Sequence, residues 1–69
     1  MDRIAVSSSN LAEIGYDADS ETLEVMFRNQ SIYQYYNVPA FIYERFTEAN
    51  SPGIFFNSNI KGHFPETRL

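Results

Sequence analysis

The sequence contains no cysteine and one histidine, His63. Without cysteine there is no disulfide and no thiolate zinc site, so a chain of 69 residues must be stabilised by packed aliphatic and aromatic side chains. A hydrolase triad needs a nucleophile with a paired base and an orienting carboxylate, and the sequence shows no such set around its single histidine. A metal would have to be bound by carboxylates alone. The sequence therefore predicts a single domain, residues 1–69, that is not an enzyme and binds no cofactor or metal.

Long hydrophobic runs are also absent. No segment approaches the ~20 apolar residues that a membrane-spanning helix needs, and the first residues, Met-Asp-Arg-Ile, lack the apolar stretch of a signal peptide. We therefore expect a cytoplasmic protein that does not contact a membrane.

Basic residues are scarce. Five Lys and Arg residues against nine Asp and Glu residues give a net charge of −4 and a pI near 4.6. Phosphate neutralisation supplies most non-specific affinity for DNA or RNA. An acidic domain would therefore need its few cations on one face to bind either nucleic acid.

Alternating apolar residues predict strands over residues 11–17, 21–28 and 32–36, after a weaker lead-in at residues 3–8. Residues 17–20 suit a hairpin turn, and Asn29-Gln30 suits a second reversal because Asn tolerates positive φ. Pro39 then begins a helix that should extend to about Ala49. The fold class predicted is α+β: a three- to four-stranded antiparallel meander with two C-terminal helices packed on one face.

The second helix is predicted from Ser51, a candidate N-cap, to Gly62, which suits the left-handed closing conformation. Residues 63–69 are expected to form a tail without regular structure, because Pro65 forbids regular continuation.

A two-residue second turn would set the register of the third strand. Met26 would then lie opposite Tyr33, which puts Tyr33 and Tyr35 on the face that the helices leave open. That open face would contain Leu11, Glu13, Glu24, Met26, Arg28, Tyr33 and Tyr35. The core face would contain Ile14, Tyr16, Leu23, Val25, Phe27, Ile32 and Tyr36. A turn one residue longer would reverse the faces of the third strand.

The tyrosines of the third strand are the main candidate site. Tyr33 and Tyr35 could form a stacking platform for bases, with Arg28 on the same face, or they could simply pack across strands. Lys61 and His63, with Arg68, could contact a phosphate near the end of the chain. Because Tyr, Met and Arg are also enriched in protein interfaces, the same face could instead bind another protein or a second copy of the chain.

Two other patterns resemble functional motifs but lack residues that those motifs need. Residues 17–21 begin like a calcium loop, but Thr22 and Arg28 stand where an EF-hand needs Gly and Glu. Ser7, Ser8 and Ser9 suggest a phosphate cradle or a nucleophile, yet no paired base accompanies them.

Several short motifs follow one another along the chain: Val6-Ser7-Ser8-Ser9-Asn10, Ile14-Gly15-Tyr16-Asp17, Leu23-Glu24-Val25, Tyr33-Gln34-Tyr35, Val38-Pro39, Ser51-Pro52-Gly53, Phe56-Asn57 and Ile60-Lys61-Gly62. In this order and spacing the chain resembles the KTSC domain, which is found at the C-terminus of some lysyl-tRNA synthetases and as free-standing small bacterial proteins. The resemblance implies no established activity and no catalytic residue. It implies contact with RNA, in particular tRNA, and it maps the family's Tyr-x-Tyr motif onto Tyr33 and Tyr35.

Overall fold

The computed structural model, which describes residues 1–69, consists of one antiparallel sheet and two helices. The elements are β1 (Arg3–Ala5), β2 (Leu11–Asp17), β3 (Thr22–Phe27), β4 (Ile32–Tyr35), α1 (Ala40–Glu48), α2 (Pro52–Asn59) and β5 (Glu66–Arg68). The five strands lie in chain order, and each pairs antiparallel with the next. The predicted α+β meander with two helices on one face is confirmed. Neither helix has the length and apolar content needed to cross a membrane.

The core lies between the sheet and the two helices. It contains Leu11, Ile14, Leu23, Val25, Tyr35, Val38, Phe46, Phe56 and Ile60. Phe46 of α1 stacks on Phe55 of α2, with ring centroids 5.3 Å apart, and so joins the two helices. Full burial of each such side chain contributes about 1.5–3 kcal/mol, which is the main source of stability in a chain without cross-links.

The second turn has three residues, 28–30, and this overturns one prediction. The Phe27 amide donates to the Ser31 carbonyl over 2.9 Å, and Gln30 adopts a φ of 72°. Val25 consequently lies opposite Tyr33, and Leu23 lies opposite Tyr35. The predicted placement of Tyr33 and Tyr35 on the open face was wrong, because the extra turn residue moves every side chain of β4 to the other face.

The same shift corrects the rest of β4. Ile32 and Tyr36 were predicted in the core, but Ile32 lies opposite Met26, and the Tyr36 hydroxyl donates to Gln34 over 3.1 Å on the open face. Arg28 lies in the turn itself rather than in a strand.

The first turn also differs from the prediction, but without changing the faces. It contains residues 18–21, with Glu21 at a φ of 53°. Ile14 consequently lies opposite Val25, whereas the predicted turn over residues 17–20 would have paired it with Leu23. A shift of two residues preserves the alternation of side chains, and Ile14 remains in the core as predicted.

Near the start of β2, a bulge between Leu11 and Glu13 turns Leu11 inward, where it is 1% exposed, so its predicted open-face position was wrong.

The two helices follow their predicted signals closely. The Ser51 hydroxyl accepts a hydrogen bond from the Ile54 amide over 3.3 Å, which caps α2, and Pro52 occupies the first turn. Gly62 adopts the predicted left-handed conformation, with a φ of 81°. Residues 63–69 were predicted to lack regular structure, but part of this segment forms β5, which pairs with β4 as the fifth strand.

The open face of the sheet has a polar network that joins four strands. Arg3 donates to Glu13 over 2.9 Å and to Glu24 over 2.6 Å, and Gln34 donates to the other oxygen of Glu24 over 2.9 Å. Burial alone would raise the pKa of Glu24, but the hydrogen bonds from Gln34 and Arg3 outweigh it and lower that pKa. The guanidinium of Arg3 therefore lies on the open face, where it pairs with the carboxylates of Glu13 and Glu24.

Candidate binding cleft

A cleft of about 460 Å³ opens between the edge of the sheet and α2. Its size falls within the range of about 300–1,000 Å³ that small-ligand sites occupy. The lining residues come from the loop before β2, the second turn, β4, α2 and β5. They are Ser9, Asn10, Leu11, Phe27, Arg28, Asn29, Ser31, Tyr33, Tyr35, Gly53, Phe56, Asn57, Lys61 and Glu66.

Four of the five residues predicted as a site line this one cleft: Tyr33, Tyr35, Arg28 and Lys61. His63 does not; it is exposed in the turn that follows α2. The fold therefore brings together residues that are up to 33 positions apart in sequence, from Arg28 to Lys61. Their role in binding stays a prediction.

The two tyrosines enter the cleft from its packed side rather than as an open platform. Tyr35 is 2% exposed, and its ring meets Phe56 edge to face with centroids 5.6 Å apart. Tyr33 is half-buried and meets Phe27 in the same way at 5.6 Å. Both rings are therefore held by the core, which leaves no broad ring face on which successive bases could stack.

Burial, reinforced by the nearby negative charge of Glu66, raises the pKa of Tyr35 well above its usual value. The Tyr35 hydroxyl therefore remains protonated at neutral pH. It can serve as a hydrogen-bond donor beside the Glu66 carboxylate.

One wall of the cleft is the loop before β2, which the Ser8 hydroxyl and Arg28 hold in place. The Ser8 hydroxyl accepts hydrogen bonds from the amides of Asn10 and Leu11, each over 3.2 Å. Arg28 ties this loop to the second turn, because its Nε donates to the Ser8 carbonyl over 2.6 Å and its amide to the Asn10 carbonyl over 2.8 Å. The opposite wall comes close: a Cβ on Gly53 would lie 3.3 Å from the Ser8 hydroxyl oxygen.

The charges around the cleft are free of ion pairs. The two ion pairs of the molecule join Arg3 to Glu13 and to Glu24, so Arg28, Lys61 and Glu66 have no charged partner within 4.0 Å. Arg68 lies next to the cleft, with its guanidinium carbon 5.8 Å from the centre of the Tyr33 ring. These cations are therefore available to an anionic ligand.

The net charge of −4 does not describe the local charge at the cleft, because several acidic residues lie far from it. Asp17, Asp19 and Glu21 lie at the first turn, and β3, of six residues, separates that turn from Arg28. Six strand residues span about 20 Å, more than twice the Debye length of about 8 Å at physiological salt. Those three carboxylates therefore have little effect on charge at the cleft.

Sequence reasoning missed part of the lining. Ser9 and Asn57 belong to motifs noted in the sequence, but nothing in the sequence indicated that they would share a cleft with the tyrosines. Glu66 was missed because its strand was not predicted. No lining residue is a histidine or cysteine, and Glu66 is the one lining carboxylate, so the arrangement offers hydrogen-bond donors, acceptors and two cations.

Comparison with known proteins places this geometry in context. A family model described as the KTSC domain matches residues 7–64. An uncharacterised protein of Stutzerimonas stutzeri is 39% identical over 61 residues, which are 88% of this chain and 86% of that protein. The lysine–tRNA ligase of Trichormus variabilis is 34% identical over 61 residues, which are 88% of this chain but 11% of the ligase.

A crystal structure of a KTSC domain protein from Yersinia pestis has the same fold. It superposes with a TM-score of 0.96 at 44% sequence identity, covering 99% of this chain and 96% of that one. The chain thus corresponds to nearly the whole of some small bacterial proteins and to a minor segment of the ligase.

Proposed function

This chain belongs to the KTSC domain family, as its motifs predicted, and we propose that it is a non-catalytic module that binds single-stranded RNA, such as a tRNA end, in the cleft. One observation carries the proposal: an acidic chain concentrates Arg28 and Lys61, both free of ion pairs, in the cleft that the Tyr-x-Tyr motif lines. The relatives that are lysine–tRNA ligases contain the same segment within a protein whose name places tRNA among its substrates.

The mode of binding differs from the open stacking platform that the sequence suggested. Arg28 and Lys61 would neutralise phosphates, while the amide side chains of Asn10 and Asn57 and the tyrosine hydroxyls would donate or accept hydrogen bonds. Single-stranded segments suit this geometry because their bases and phosphates can enter a pocket, whereas a stacked duplex keeps its bases inside.

The test is an NMR titration with unfractionated tRNA at low and moderate salt. We expect shifts at the cleft residues and an affinity that falls with salt, with a log–log slope of about −1.4 if two phosphates are neutralised on a single strand. Lys61→Gln and Arg28→Gln should each weaken binding and flatten that slope.

Arg45→Gln is the matched control, since Arg45 lies on α1 over the Phe41 ring and outside the cleft. If Arg45→Gln weakens binding as much as Lys61→Gln, the effect is one of net charge and the cleft is not the site. Shifts on the open face with no salt dependence, or a mass that rises with concentration, would instead favour the rival interpretation, a protein-binding or self-associating module.

A further inference from the structure

The size of the cleft limits what part of an RNA can enter it. Its 460 Å³ lie between the Ser9–Asn10 side and α2, and the whole domain measures only 28 × 24 × 23 Å. The packed rings of Tyr33 and Tyr35 form one side, so a ligand would lie between this side and α2. This space suits one unstacked nucleotide and not a run of stacked bases.

Glu66 is the residue of the cleft that phosphate binding leaves unexplained. A carboxylate repels phosphate, and a merely neutralising role would pair it with a cation of the same cleft, yet neither Arg28 nor Lys61 lies within 4.0 Å of it. Its position is fixed by the β4–β5 register, in which Glu66 lies directly opposite Tyr35. Tyr35 is nearly fully buried, and the exposed Glu66 places its negative charge near the tyrosine hydroxyl.

An ionised carboxylate offers acceptors only, and its two oxygens can accept from a ligand as well as from the Tyr35 hydroxyl beside it. Among the four bases, guanine alone presents two adjacent donors on its Watson–Crick edge, the N1–H and the N2 amino group, and a carboxylate can accept both. Adenine and cytosine present one amino group beside a ring nitrogen that is itself an acceptor. Uracil presents one N–H between two carbonyls, so its acceptors would face the carboxylate.

We propose that the cleft accommodates a single unpaired nucleotide and that Glu66 selects guanine, with the phosphate on the Arg28 and Lys61 side. This inference rests on the proposed RNA-binding function of the same cleft and adds a base preference to it. A bidentate pair of this kind discriminates against a wrong base by roughly tenfold or more.

The experiment measures binding of 5′-GMP, 5′-AMP, 5′-CMP, 5′-UMP and inorganic phosphate by NMR shift titration of the full chain. We expect GMP to bind about tenfold or more tightly than the other nucleotides. Glu66→Gln should reduce GMP to the affinity of AMP, because the carboxamide places a donor against the donors of guanine. Glu66 is exposed on an edge strand, so this variant should keep its melting temperature.

Glu48→Gln on α1, which removes the same charge outside the cleft, should retain the preference for GMP. Equal binding of the four nucleotides, or a preference for GMP that Glu66→Gln leaves intact, overturns the inference. Phosphate that binds as tightly as GMP overturns it too, since the base would then contribute nothing. In each of these cases tRNA shifts at the cleft would still support the proposed function, and a loss of those shifts would reject that function separately.

Discussion

Tyr33 lies directly opposite Val25 across the β3–β4 pair, and this pairing decides which side of the sheet the Tyr-x-Tyr motif occupies. Val25 is completely buried beneath the helices. Because directly opposed residues share a face, Tyr33 and Tyr35 must lie on the helix-covered side. The motif therefore contributes to the core and to the cleft at once, and a change at either tyrosine affects both.

The register depends on Gln30, whose φ of 72° closes the three-residue turn. A non-glycine residue pays about 1–2 kcal/mol for the left-handed conformation, and glycine avoids that cost but loses some entropy on folding. We expect Gln30→Gly to stabilise the domain by about 0.5–1 kcal/mol, which raises Tm by about 2–8 °C in a chain of this size. Calorimetry measures the shift.

Gln30→Val is the matched contrast, because a β-branched residue tolerates positive φ poorly. It should lower Tm. If Gln30→Gly and Gln30→Val change Tm in the same direction, the turn conformation does not control the stability of the hairpin.

Tyr35 should be indispensable for folding, whereas its hydroxyl should not be. Tyr35→Ala removes a ring that is 2% exposed and packs against Phe56, and such truncations cost about 3–5 kcal/mol. In a domain this small, that loss leaves a largely unfolded chain. Tyr35→Phe keeps the ring and should unfold in urea near the wild-type midpoint. A folded Tyr35→Ala with an unchanged midpoint would contradict the buried position of the ring.

The fold class, the two helices and the Ser51 cap could be predicted because each depends on local chemistry: alternation, proline at a first turn, a short polar side chain before it. The side of the sheet to which the side chains of β4 point could not be predicted in this way. Asn29-Gln30 is compatible with turns of two or three residues, and a difference of one residue reverses the strand. The longer turn also buries Tyr33 against Phe27 and Tyr35 against Phe56, a tertiary effect that no local pattern contains.

The sequence predicted most of the residues of the site but not their arrangement in space. Arg28, Lys61 and the tyrosines were chosen for their chemistry, and the fold gathers them in one cleft. Glu66 could not be anticipated, because β5 has three exposed residues without apolar alternation and is a strand only through its pairing with β4. Strand formation at such an edge follows from its neighbour and not from its own composition.

Gly15 should be intolerant of any side chain. A Cβ at this position would lie 2.4 Å from the carbonyl oxygen of Asp2 and 2.9 Å from Cγ of Arg3, so β1 would have to move. We expect Gly15→Ala to lower the free energy of unfolding by about 1–3 kcal/mol, the usual cost of overpacking. Urea unfolding measures the loss, and amide shifts of residues 3–5 should report the displaced strand.

Gly53→Ala provides the comparison for Gly15→Ala. Its Cβ would meet only the Ser8 hydroxyl at 3.3 Å, and alanine favours the helix by about 1 kcal/mol over glycine. The two variants should therefore differ clearly in stability. Equal losses at both positions would show that the close approach of Asp2 to Gly15 has no special weight.

Glu24 should make the domain sensitive to acid. Its pKa in the folded state lies below the ordinary value of 4.5, so the ionised form stabilises the fold, and that contribution is complete above about pH 4.5 and disappears as the pH falls through the lowered pKa. Glu24→Gln should cost about 1–3 kcal/mol at pH 7, since it weakens a buried, charge-assisted network. Glu13→Gln, which affects a more exposed partner of the same Arg3, should cost about 0–1 kcal/mol. Urea unfolding of the three proteins at pH 7, 5, 4 and 3 tests this. Wild type and Glu24→Gln should converge in stability at the lowest pH, and a gap that stays constant from pH 7 to pH 3 would mean that the Glu24 charge does not stabilise the fold.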